Sequence, residues 1–217
     1  MMPRVTHNLP DDVLLAYSAG QLSLAFDLVV ASHVSLSDDS RARLEAFDAV
    51  GGMILDEVEP IALGDDSFAA TMALIQGAAP EDCATTPPRP KGVFPDPLRQ
   101  MVGGDLDSVA WRPIGMGARQ AILHSDKGGS VRLLYIPTGV AMPTHSHHGN
   151  EMTLVLQGAY RDEFDEFHRG DVELADQDLD HTPVAFGDED CICLAATDDR
   201  LKFSSLLPRL AQPFLRI

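Results

Sequence analysis

His145, His147 and Glu151 have the residue types and spacing of divalent-metal ligands, inside the string Gly139-x5-His145-x-His147-x3-Glu151-x6-Gly158. Side chains alternate along an extended strand, so two histidines two positions apart face the same way. A carboxylate four residues on joins them once the chain turns, and the bracketing glycines suit the bends. His148 falls on the opposite face. A distant strand is expected to bring a fourth ligand, and His181 is best placed because it opens a strand candidate after the polar turn Asp178-Leu179-Asp180. Three imidazoles and one carboxylate suit Zn, Fe, Mn, Ni or Cu, with zinc taken first. Such a centre catalyses, senses or braces. Iron with an open coordination position would activate oxygen.

The elements that must position these residues are short strands punctuated by turns. Strand candidates run over Arg119–Leu123, Val131–Ile136, Met152–Leu156, Ala159–Phe164, Asp171–Leu174, Thr182–Ala185, Cys191–Ala195 and Leu201–Leu206. This pattern predicts a closed β-barrel or sandwich. Residues 10–77 read differently. Apolar residues recur there at helical period over Val13 to Ala19, Gln21 to Val34, Asp38 to Glu59 and Asp66 to Gln76. Between the two regions, 78–97 is rich in proline and small residues and reads as a semi-extended linker. The expected organisation is therefore a helical domain at 1–77, a linker at 78–97 and a β-barrel domain at 98–217.

The net charge of −17 bounds the partners, and residues 1–77 hold 12 Asp and Glu against 3 Arg. Phosphate backbones would repel such a surface, so direct nucleic-acid binding is not expected. A basic protein surface would attract it. No apolar stretch is long enough to span a bilayer, and the N-terminus has no charged region followed by an apolar one, so neither membrane nor export is expected. Three cysteines, Cys83, Cys191 and Cys193, make an odd, sparse set that points to a reducing cytoplasm. Cys191 and Cys193 share one face of a strand, either as small core residues or as thiols facing the barrel interior, within reach of an oxidant.

A second constellation lies in the helical region, where His33, Ser37 and Ser40 form H-x3-S-x2-S with His7 upstream. It resembles the zinc-binding anti-sigma domain, whose frame is H-x3-C-x2-C with an upstream histidine. His7 and His33 match the family's histidine ligands, and Ser37 and Ser40 stand at its cysteine positions. Hydroxyls are poor zinc ligands beside thiolates, which counts against a tight zinc there. Either the cysteines have been replaced, or the domain holds its fold without the metal. Ser37 also suits the N-cap of the third helix, with Asp38 and Asp39 behind it.

The C-terminal string looks like the first cupin motif, complete at every position. The second cupin motif, G-x5-P-x-G-x2-H-x3-N, is kept at Gly170 and His181 but has Asp176, Asp178 and Ala185 at its proline, glycine and asparagine positions. Together the two halves resemble the ChrR-type anti-sigma family over essentially the whole chain, with an α plus all-β fold of a helical anti-sigma domain and a cupin barrel. That resemblance implies a cytoplasmic, non-enzymatic regulator that sequesters an extracytoplasmic-function sigma factor and releases it under singlet-oxygen-type stress. It implies His145, His147, Glu151 and His181 as cupin metal ligands, with His7 and His33 left from the zinc site. The competing expectation is a metal-dependent cupin oxygenase with a helical appendage.

Overall fold

The computed structural model describes residues 5–77, 92–147, 149–177, 179–199 and 201–203, with 201–203 and His147 described by backbone alone. Four helices come first: α1 (Asp11–Ser18), α2 (Leu24–Val34), α3 (Asp38–Asp56) and α4 (Ser67–Gly77). Ser37 caps α3, its hydroxyl accepting the Ser40 N–H, while Asp38 and Asp39 sit at the positive end of the helix dipole. A fifth helix, α5 (Asp96–Val102), carries Pro97 in its first turn, where a missing N–H costs nothing. It spans the boundary expected at 97/98. Residues 78–91 of the expected linker, with Cys83, lie outside the described residues.

Eleven strands follow among the described residues: β1 (Arg112–Gly115), β2 (Ala118–Asp126), β3 (Gly129–Ile136), β4 (His145–His147), β5 (Glu151–Gln157), β6 (Ala159–Arg161), β7 (Glu166–His168), β8 (Val172–Ala175), β9 (Val184–Phe186), β10 (Cys191–Thr197) and β11 (Leu201–Phe203). One antiparallel sheet has six strands in the order β1-β2-β3-β10-β5-β8, a second has the order β7-β6-β9, and β4 pairs with β11. Register sets the two faces of the larger sheet. Cys193 lies opposite Leu134 and Val155, and Leu194 opposite Leu133 and Leu154. The Cys193 row points inward, where Ile136, Val155, Cys191 and Cys193 meet Tyr160, Phe167 and Ala185 of the smaller sheet. The Leu194 row points outward, so β10 is buried along its whole length. At the β5–β6 turn Gly158 has φ +65° and lies close to the Asp190 carbonyl, so no other residue fits there without strain.

The apolar outer row does not face water. α2 lies across β3, β5 and β10. One core therefore joins Leu9, Leu14, Ala25, Val29 and Val30 to Leu133, Leu154, Leu156, Ile192 and Leu194, with Phe94 and Leu98 from the α5 region. Helical period alone leaves open whether the apolar stripe of α2 is covered by a partner or by the rest of the chain. The structure commits α2 to the sheet, because a six-stranded sheet with an apolar outer face needs cover more than a short helix needs a partner.

The N-terminal segment is tied to the same sheet by one buried carboxylate. Asp171 accepts the Thr6 and His7 N–H groups at 2.7 and 2.9 Å, the Thr6 hydroxyl at 3.2 Å and the His168 N–H at 2.9 Å. Burial works against this charge, but the N–H donors of His7, His168 and Thr6, with the charge on His7, outweigh it and hold the carboxyl below its usual range. Its contribution is thus present at neutral pH and is lost as pH falls through the lowered folded value. The substitution Asp171→Asn replaces the charged acceptor and should cost about 3 kcal/mol. Urea unfolding at pH 7 checks this, and an unchanged midpoint would show that the segment is held elsewhere.

Candidate functional site

β4 delivers His145 to the barrel interior, and a reciprocal pair of backbone hydrogen bonds, both 3.2 Å, sets His181 directly opposite. Directly paired residues project to the same face, and the two rings lie 4.8 Å apart by centroid. A 2.8 Å contact between the Thr144 and Thr182 hydroxyls closes the seam beside them. Glu151 begins β5 with its carboxylate accepting the Thr153 hydroxyl at 2.9 Å, and its charge acts on His181. The structure therefore sets His145 and His181 side by side, with the Glu151 charge near enough to act on His181. His147 shares the β4 backbone, but its side chain lies outside what the structure describes.

Both imidazoles are held in one tautomer. His145 Nδ1–H donates to the Pro143 carbonyl at 2.8 Å, and His181 Nδ1–H faces Asp162 Oδ2 at 3.0 Å and Glu173 Oε1 at 3.2 Å. Each arrangement commits Nδ1–H and leaves Nε2 as the nitrogen that would exchange a proton for a metal, the way metal-ligating histidines are usually held. Burial alone would disfavour the His181 imidazolium, yet Glu173 and Asp162 hydrogen bonds and the charge of Glu151 push its pKa up to about 9. The pocket demands positive charge, which a divalent cation supplies, so the donor set fits a metal.

Asp162, Glu173 and His181 bring ligand atoms within 4.8 Å of one another. The two carboxylates are already engaged elsewhere. Glu173 Oε2 accepts the Tyr160 hydroxyl at 2.7 Å, and Asp162 Oδ1 accepts the Phe164 and Asp165 N–H groups at 2.8 and 2.9 Å. They act as holders of His181. Sequence reasoning missed both, although the alternation of β8 signalled Glu173, which points inward between the outward Val172 and Leu174. Asp162→Asn should weaken metal affinity by about 10–100-fold while leaving the ligands in place. Competition against a chromophoric chelator reads this, and unchanged affinity would remove Asp162 from the site.

Cys191 and Cys193 face the interior as their spacing requires, with sulfurs 3.5 Å apart. The hydrogen bond Cys193 gives to Cys191, burial and the nearby charges of Cys191, Glu173 and Glu151 push the Cys193 thiol well above its usual value. A protonated, buried thiol is a poor nucleophile.

In the helical half the structure brings together His33, Ser37 and Ser40 and leaves His7 out. His7 lies against Phe167 with the rings tilted at 45° and meets Asp165 through Nε2 at 2.9 Å, so the expected histidine pair does not form. Its neighbour Asn8 turns in instead, because the Asp171 anchor fixes the backbone at Thr6 and His7 and the next residue faces the helices. The His33 Nδ1–H donates to the Gly170 carbonyl at 2.9 Å, reaching a glycine at φ +94° where a Cβ would crowd Val5. Burial lowers the His33 pKa, only partly offset by the Gly170 carbonyl and Asp171. The unfolded chain therefore takes up a proton near the ordinary value of 6.5 that the fold resists, so stability is full above it and falls as pH drops below it. His7 and His181, both raised from 6.5, stay protonated in the fold while the unfolded chain is still taking up its protons, so they oppose this slope until the unfolded chain is fully charged. Measured against His33→Gln, stability of the metal-free chain should therefore fall between pH 6.5 and 5.5 by up to about 1 kcal/mol. Urea titrations of the two chains check this, and parallel pH profiles would show that His33 carries no part of the slope.

These geometries sit in a chain with well-characterised kin. The family model described as the ChrR cupin-like domain matches residues 99–199. The anti-sigma-E factor ChrR of Cereibacter sphaeroides is 52% identical over 215 residues, spanning 98% of this chain and 99% of that protein. The crystal structure of Rhodobacter sphaeroides SigE in complex with the anti-sigma ChrR matches with 50% identity and a TM-score of 0.77, covering 89% of this chain and 99% of that one. With both halves present in one order and kinship running from end to end, the chain belongs to the ChrR family of anti-sigma factors.

Proposed function

We propose that this chain is a cytoplasmic anti-sigma factor: residues 1–77 sequester an extracytoplasmic-function sigma factor, and the cupin at 98–217 governs its release under singlet-oxygen-type stress. The observation that carries this reading is the apolar surface left uncovered beyond Phe47. Met53, Ile54 and Leu55 on α3 and Val58 just beyond its C-cap are 62–71% exposed, Ile61 and Leu63 follow, and α4 adds Phe68, Leu74 and Ile75. Among the described residues α4 buries none of its own. Exposed apolar side chains in such number, carried on consecutive elements of one segment, mark a protein interface. The acidic residues around it complement a basic partner such as a DNA-binding protein, and the solved relative with SigE supports that class of partner. No described helix is long and apolar enough to cross a membrane.

His145, His147, Glu151 and His181 are the ligands of the cupin metal, which we take as zinc. Bound there, the metal would supply the charge that the Glu151, Glu173 and Asp162 carboxylates attract. The described side chains around it hold the imidazoles in register, and the end-to-end kinship with the anti-sigma-E factor ChrR makes the reading regulatory.

Co-expression with an extracytoplasmic-function sigma factor from the same cell, followed by co-purification, tests the function. The expected result is a stable 1:1 complex. Ile54→Asp should weaken it by at least about 2 kcal/mol, roughly 30-fold, with thermal stability unchanged because the side chain is exposed. A variant that keeps full affinity would place the interface elsewhere, and failure of the wild type to bind any such sigma factor would overturn the reading.

A further inference from the structure

The zinc motif that H-x3-S-x2-S resembles does not fit the residues present. We propose that the anti-sigma half of this chain is metal-free by construction, and that a hydrogen-bonded clasp of His33, Ser40, Ser37 and Asn8 joins its helices instead. The inference rests on the anti-sigma reading only for its regulatory consequence, and the clasp itself stands on geometry.

All hydroxyl and imidazole donors in the cluster have one consistent assignment. His33 commits Nδ1–H to the Gly170 carbonyl, so Nε2 is an acceptor and takes the Ser40 hydroxyl at 2.8 Å. The Ser40 N–H goes to Ser37 Oγ at 3.2 Å, and the Ser37 hydroxyl donates to Asn8 Oδ1 at 2.6 Å. Asn8 Oδ1 also lies 3.2 Å from Ser40 Oγ. Three of the four, His33, Ser37 and Ser40, are at most 2% exposed. Buried polar groups at such distances are satisfied by one another.

Two physical facts exclude zinc. The donors are one imidazole, two neutral hydroxyls and an amide oxygen, with no thiolate or carboxylate to balance the ion's charge. The cluster is also too small. Ligands about 2.05 Å from a tetrahedral zinc stand about 3.3 Å apart, whereas His33–Ser40 and Ser37–Asn8 have closed to 2.8 and 2.6 Å. The space a metal would hold is filled by hydrogen bonds.

The consequence is a division of labour. Residues 1–77 contain no cysteine, so neither a chelator nor a thiol oxidant has a target in the sigma-binding half. Metal loss then acts on partner release through the cupin, and thiol oxidation through the cupin pair Cys191 and Cys193 or through Cys83 between the two halves.

Elemental analysis of the full-length chain purified with added zinc tests the clasp. About one equivalent per chain is expected, falling to near zero in His145→Ala/His181→Ala. A second equivalent in the wild type, or metal in that variant that disappears on adding His33→Ala, would overturn the proposal. Because the cupin variant can fail to fold, a gain-of-site variant complements it. Ser37→Cys/Ser40→Cys with Asn8→His should acquire one additional zinc and, with cobalt in its place, thiolate charge-transfer absorption. No gain would show that the clasp does not occupy a metal-site geometry. In the sigma complex, a chelator should change the affinity of His145→Ala/His181→Ala, which has no cupin metal to lose, by less than twofold, and chelator-induced dissociation there would refute the metal-free half. A chain that binds no sigma factor would sink the proposed function and leave the metal counts to judge the clasp.

Discussion

The outer face of the six-stranded sheet has to be covered, and that requirement organises the molecule. Leu133, Leu154, Leu156, Ile192 and Leu194 are fully or almost fully buried there, under α2 and α5. Exposing these side chains would cost about 1.5–3 kcal/mol each. The helical half is therefore not a separate ball on a tether. Its second helix is a layer of the cupin, and α1, α3 and α5 are positioned by reference to it.

Because α2 is fixed, everything at its C-terminal end is fixed as well. His33 ends the helix with its ring on the Gly170 carbonyl, and Gly170 precedes Asp171, which anchors Thr6 and His7. Two residues of one turn thus hold both the start of the chain and the α2–α3 junction. The cupin centre reaches the same segment from the other side. His181 is held by Asp162, whose Oδ1 takes the Asp165 N–H, and Asp165 in turn meets His7 at 2.9 Å. A cavity of about 470 Å³ lined by Thr6, His7, Asn8, Asp162 and Glu173 lies between them. The Thr6–Asn8 segment is the element that both the metal centre and the helical clasp touch.

Much of this was legible in the sequence. Periodicity located α1 to α4 and most strands, and alternation along β4 put His145 on the face that His181 meets, because local pattern and side-chain alternation determine those features. What pattern could not supply was contact between the halves. An apolar stripe on α2 looks the same whether a sheet or a partner covers it. The choice between His7 and Asn8 was hidden for the same reason. Adjacent residues point opposite ways on extended chain, and only the Asp171 anchor, over 160 residues distant in sequence, decides which one faces the helices. Asp162 and Glu173 escaped because their role is to hold another ligand.

Release of a bound partner sets an energetic scale that the same architecture must meet. Shifting a complex from almost fully bound to almost fully free takes about 5.5 kcal/mol of differential interaction between two states of the protein. One exposed side chain offers far less, and one hydrogen bond contributes about 1 kcal/mol. The docking of the N-terminal segment is of the right size. Four hydrogen bonds to the buried Asp171 carboxylate and the clasp at His33 are made or lost together, since each fixes the backbone the others need. α4 has no such support of its own, and eleven residues with no buried side chain make a marginal helix in water, so the partner that covers it also stabilises it. On the proposed reading, a change at the cupin metal acts on the sigma factor only if it reaches Thr6–Asn8. The cost of losing that dock, rather than any contact with the partner itself, determines how strongly the metal controls release.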